Sequence, residues 1–246
     1  MRLNVVLAAS ALLAASLSFA AAPALAGDAA QFDPIGFSDD GRYFAYEEYG
    51  IQDGSGFPYD TIYLVDLMAD KWVGKPVRVR LDDEMAGLPQ ARQQAMQQAK
   101  AMLDKAALTT PAQILLMNAD GEIAADGTEV NFAMFGNGLT TLGDPLKLSL
   151  SSFASTSTEP CASYGMDGPV KGFALTLTDS ADNSAEIYRD ATVPASRGCV
   201  SDYRIHAIIS PFPAGSSASP MVGVISAYSL GFEGPDRRFI TVPIAP

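Results

Sequence analysis

The chain has little of what most chemistry-bearing proteins use. Its 246 residues include two cysteines, one histidine and one tryptophan, and basic side chains are outnumbered, 16 against 28 acidic, for a net charge of −12. With His206 alone, neither an H-x-x-x-H metal pair nor a C-x-x-C hook exists. Lys and Arg form no cluster, so the acidic chain is a poor match for a nucleic-acid polyanion. Glycine has no three-residue period, which excludes collagen, and beyond residue 26 no apolar run is long enough to span a bilayer. Disorder is excluded too, because 48% of the residues are hydrophobic, enough to fill a core.

Residues 1–26 read as a secretory signal peptide: a positive start at Arg2, an apolar stretch from Val5 to Phe19, and Ala24-Leu25-Ala26 matching the small-residue cleavage pattern. Cleavage after Ala26 leaves one domain over 27–246, secreted or periplasmic, with no membrane span. In an oxidising compartment the even count of cysteines points to one disulfide, Cys161–Cys199.

Strand signals dominate that domain. Runs rich in β-branched and aromatic residues, bounded by Gly, Pro, Asp and Asn, fall at 42–48, 61–67, 72–81, 113–118, 128–135 and 146–153, then at 170–178, 185–189, 203–210, 221–230 and 238–242. Asp39-Asp40-Gly41 and Asp126-Gly127 suit hairpin turns. The expected class is mainly β, antiparallel sheets in a sandwich or partial propeller-like arrangement. One amphipathic helix is expected at about 89–108, with Pro89 in its first turn, Pro111 beyond its end, and Leu88, Ala95, Met96, Ala99, Met102, Leu103 and Ala106 forming an apolar stripe.

The stretch Phe37-Ser38-Asp39-Asp40-Gly41-Arg42-Tyr43-Phe44-Ala45-Tyr46, followed by Thr61-Ile62-Tyr63-Leu64-Val65-Asp66-Leu67, resembles a WD40-like propeller repeat of periplasmic translocation proteins, with Asp39 where proline is usual. More broadly, Tyr46–Gly56, Gly172–Leu177, Pro194–Cys199 and Gly231–Phe239 together resemble a family of predicted secreted bacterial proteins of unknown function. That resemblance implies export and no site residue.

No catalytic motif is present. His206 sits mid-strand without a G-x-S-x-G elbow, the Gly54-Ser55-Gly56 and Gly136-Asn137-Gly138 stretches lack a phosphate cradle's third glycine, and Asn118, Asp120, Glu122, Asp126 and Glu129 miss the EF-hand spacing. Glu47 and Glu48 are adjacent and so point to opposite faces of a strand, leaving at most one for a cleft. The most distinctive constellation is Gly231-Phe232-Glu233-Gly234-Pro235-Asp236-Arg237-Arg238-Phe239, where two acids and two arginines meet at a Gly-Pro turn. Two readings of it stand: a structural turn with an arginine paired to Glu233 or Asp236, or an anion clamp of Arg197, Arg237 and Arg238. Tyr46, Tyr49, Phe57 and Tyr59 are a candidate aromatic binding surface. The function expected is therefore a non-catalytic exported binding or interaction module without cofactor, taking a periplasmic protein or a small anionic ligand. The alternative is an exported carboxylate-based hydrolase.

Overall fold

A computed structural model describes residues 27–136, 139–214 and 220–244. The proposed signal peptide lies outside them. In chain order the elements are β1 (Gln31–Ser38), β2 (Tyr43–Ile51), β3 (Pro58–Asp66), β4 (Lys71–Trp72), β5 (Val77–Arg80), α1 (Leu88–Lys105), β6 (Leu108–Thr110), β7 (Ala112–Met117), β8 (Glu129–Phe132), β9 (Phe135–Gly136), β10 (Thr141–Leu142), β11 (Leu146–Ala154), β12 (Lys171–Thr178), β13 (Ser184–Arg189), β14 (Val200–Pro211), β15 (Met221–Leu230) and β16 (Pro235–Ile244). Apart from the short β9–β10 pair they form three antiparallel sheets and one helix, with no closed barrel. The first sheet runs β4-β3-β2-β1-β6 with β5 also on β3, the central sheet β16-β15-β14-β7, and the third β13-β12-β11-β8.

The sheets stack because the central one is apolar on both faces. Ile205, Ile208, Met221, Ile225 and Val242 pack against Leu148, Leu150, Phe173 and Leu175 of the third sheet. Ala207, Ile209, Val222, Val224 and Phe239 pack against Phe32, Phe44, Tyr46 and Tyr63 of the first. A strand buried on both sides loses period-two alternation and reads as a continuous apolar run, as 207–209 and 221–225 do. On the far side of the first sheet, α1 lays Ala91, Ala95 and Ala99 onto Ile62 and Val79. These alanines recur every four residues, so their small side chains let the helix approach closely. Met96, expected in the stripe, is partly exposed.

Three element expectations are corrected. The first sheet contains β1, which the pattern did not suggest because Pro34 and Gly36 resemble a loop; the strand carries a bulge there. Gly36 is required, since a Cβ would stand 2.9 Å from the Thr110 carbonyl oxygen. The run at 72–81 is two strands, broken at Gly74 with φ +78°. The helix ends three residues early, at Lys105, with Ala107 at φ +50°.

The Phe37–Tyr46 stretch closes the β1–β2 hairpin, with the Gly41 amide donating to the Ser38 carbonyl and Arg42 bound to Asp66 at 2.7 Å. The disulfide is present, Cys161 to Cys199, with Cα atoms 5.5 Å apart. It ties the turn after β11 to the start of β14.

Candidate site: an aromatic and arginine-lined cleft

A cleft of about 630 Å³ opens where three parts of the molecule meet: the β3–β4–β5 corner of the first sheet, edge strand β16 of the central sheet, and the Pro194–Arg197 turn with Tyr188. Such a volume suits a small ligand.

Its aromatic wall follows from strand register. Tyr46 of β2 lies opposite Tyr63 of β3, and the rings stack with centroids 4.7 Å apart. Trp72 of β4 continues the row, 5.3 Å from Tyr63. The row thus runs from the fully buried Tyr46 outward to Trp72, which is 44% exposed at the cleft. Tyr59 and Tyr188 complete the aromatic lining.

Four cations line the same space: Lys71, Arg78, Arg197 and Arg238. Two are held by acids behind them. Arg197 binds Asp190 at 2.6 Å and donates to the hydroxyls of Tyr188 and Tyr203. Asp190 also accepts from the Phe173 amide and the Tyr188 hydroxyl, so that corner is saturated, and partial burial with the Asp190 hydrogen bond pushes the Tyr188 phenol up to about 12. Arg238 binds Asp28 at 2.6 Å, lies over the Tyr59 ring, and approaches Glu48 to 3.6 Å. Arg78 and Lys71 are different: among the described residues neither has a carboxylate within ion-pairing distance. Arg78 stands beside Tyr63.

Glu48 forms part of the lining, its side chain only 3% exposed. One oxygen accepts the Phe239 amide at 2.8 Å. Burial pushes its carboxyl up to about 7, opposed by Arg238 and the Phe239 hydrogen bond. Asp70 is the other acid in the lining. Glu47, as strand geometry requires, faces the other way, toward α1. There it binds Arg92, while neighbouring Asp60 is fully buried with neither oxygen hydrogen-bonded, and burial followed by the Glu47 charge pushes the Asp60 carboxyl well above the usual carboxylate range.

Of the residues singled out from sequence, Arg197, Arg238, Tyr46 and Tyr59 converge on this cleft. Arg237 does not. Its guanidinium is buried on the opposite face of β16, donates to the Ala30 carbonyl and pairs with Asp120. One arginine was expected to pair with Glu233 or Asp236; instead Arg237 pairs with Asp120 and Arg238 with Asp28, acids that arrive from distant segments. Tyr49 instead stacks on Arg92 beside α1, and Phe57 lies near Arg80. His206 is packed by Phe32 and Phe239 at a bulge in β14, and burial with Arg237 nearby lowers it to about 4. No group of three or more metal-ligating side chains exists among the described residues.

Sequence reasoning missed Lys71, Trp72 and Arg78. Only Arg78 had a signal: in Val77-Arg78-Val79-Arg80 the valines pack toward the α1 side, which sends the arginines to the other face.

A family model described as "Predicted secreted protein (DUF2259)" matches residues 45–245. A search of curated proteins finds no match. No helix among the described residues is long and apolar enough to cross a membrane.

Proposed function

The chain belongs to that family of predicted secreted proteins, and from this premise we propose that it is a non-catalytic exported binding protein whose cleft holds a small anionic ligand. One observation carries the reading. In a chain of net charge −12, Arg78 and Lys71 line an aromatic cleft with no carboxylate within ion-pairing distance among the described residues, while Arg197 and Arg238 are fixed beside them. Arginines held in place by acids behind them are preorganised donors for an oxyanion, and flat aromatic faces accept the ligand's apolar part.

The hydrolase alternative fits less well. Glu48, the buried acid of the cleft, is almost wholly enclosed and already accepts a backbone hydrogen bond, and the Glu47–Asp60 pair is under α1, outside the cleft lining. That leaves Asp70 as the one exposed carboxyl of the lining, where a carboxylate-based glycoside-type hydrolysis uses two facing the substrate.

Export by signal cleavage after Ala26 is part of the same reading. It is supported by Gly27, the first residue beyond the cleavage motif, which is itself packed against the domain: a Cβ there would sit 2.3 Å from the Pro235 carbonyl oxygen. Intact mass spectrometry of exported protein should begin at Gly27, and retained Met1 would contradict it.

The anion reading is tested by calorimetric titration with inorganic sulfate against Arg78→Ala and Lys71→Ala. Losing one charged donor should weaken binding by about tenfold, with unchanged melting temperature. Equal affinity in wild type and both variants would remove the cleft as the site.

A further inference from the structure

The acids lining the cleft and those directly behind it match its cations in number. Lys71, Arg78, Arg197 and Arg238 face Glu48 and Asp70 in the lining, with Asp190 behind Arg197 and Asp28 behind Arg238. Counted as ionised, the set is neutral, so an anion entering it brings an uncompensated negative charge into a partly dehydrated space. Such a charge is met by a counter-ion or by a proton.

The position of Glu48 decides which. From β16 it faces the Arg238 guanidinium, 3.6 Å away, and the Phe239 amide. From β5 it meets the charge of Arg78, from the segment before β1 that of Asp28, and around it stand the phenols of Tyr46, Tyr59 and Tyr63. Arg238 is already shared, since Asp28 holds one of its nitrogens at 2.6 Å. An anion drawn to Arg238 and Arg78 therefore competes for the same two cations that stabilise the Glu48 carboxylate. A carboxylate this enclosed has no water to replace them.

We propose that Glu48 is the proton acceptor of the anion site, so that an oxyanion enters the cleft together with one proton taken from solvent onto the Glu48 carboxyl. The inference rests on the anion-binding reading and names its regulation: binding tightens as the medium acidifies. The balance is simple. The proton leaves solvent, the Glu48 carboxylate becomes a neutral carboxyl, and Arg238, still held by Asp28, exchanges its Glu48 contact for the ligand; a singly charged oxyanion then leaves the net charge of the cleft unchanged, and sulfate leaves it one unit more negative instead of two. Near pH 7 the unliganded carboxyl is close to its own midpoint, which places the response in an accessible range.

The probe is inorganic sulfate, which does not titrate between pH 6 and 9. Its dissociation constant is measured across that range for wild type, Glu48→Gln and Asp60→Asn. Wild type should weaken by up to about tenfold per pH unit above pH 7, the limit for one proton per ligand, and level off below it. Glu48→Gln should bind with no slope. Asp60→Asn should keep the wild-type slope, because Asp60 lies on the α1 side of the first sheet. A flat wild-type profile, or a slope that survives Glu48→Gln, would overturn the proposal while leaving anion binding in place. A slope abolished by Asp60→Asn would assign the proton to the wrong face and also overturn it. Absence of sulfate binding at every pH would remove the anion reading, and the proton coupling with it.

Discussion

Arg197 serves the fold as well as the cleft. Arg197 saturates Asp190, whose side chain is 2% exposed, so Arg197→Ala strands a buried charge and should cost about 3–5 kcal/mol. Thermal denaturation reads that loss, and a melting temperature within error of wild type would show Asp190 to be satisfied without it. His206 sets a pH prediction. Its folded value, about 4, lies below the unfolded 6.5, so the unfolded chain binds more protons between these values. The contribution is full above pH 6.5 and is lost as pH falls toward 4, at most about 3 kcal/mol. His206→Gln should therefore show a shallower loss of stability from pH 6.5 to 4; an unchanged slope would mean that His206 ionises freely in the fold. None of these roles was legible residue by residue: Asp28 and Asp120 reach their arginines from distant parts of the chain, and Asp190, though only seven residues before Arg197, meets it through the turn that follows β13. Sequence shows which residues can pair, and only the fold shows which do.

At the scale of elements the disulfide carries the main consequence. It closes a loop of 38 residues, for which the chain-entropy argument gives about 4 kcal/mol. Cys199 lies two residues beyond Arg197, which is carried on a 3-10 turn, Ala195–Arg197, so the bridge also fixes one wall of the cleft. Reduction, or Cys161→Ser with Cys199→Ser, should lower stability by that amount in urea and weaken sulfate binding; full binding in the reduced protein would show that the turn holds itself. Most strands were legible because period-two alternation and long apolar runs report burial directly, as in β12 and β15. Those that escaped did so for physical reasons. β1 is bulged around Pro34 and Gly36, and β6 is three residues long, too short for a pattern. Helix α1 was legible from its composition, yet its buried face proved to be the alanines, since close approach to a sheet selects small side chains over Met96.

For the whole molecule, the stack of helix and three sheets leaves one place where first sheet, central-sheet edge and disulfide-tied turn meet, and the cleft is that place. Neither the propeller-like resemblance nor any local motif shows such a junction, because it arises from packing between sheets distant in sequence. Export and the β class were readable from the chain; that Arg78 and Lys71 have no carboxylate within ion-pairing distance among the described residues was not, as a cation's partner is a property of the assembled surface. The account's central claim, that this junction is an anion site, is tested most directly by mapping sulfate binding with amide and indole NMR shifts. The account predicts saturable changes confined to Lys71, the Trp72 indole, Arg78, Ser196 and Arg238–Ile240. Saturable changes elsewhere on the molecule with these signals unmoved would contradict it.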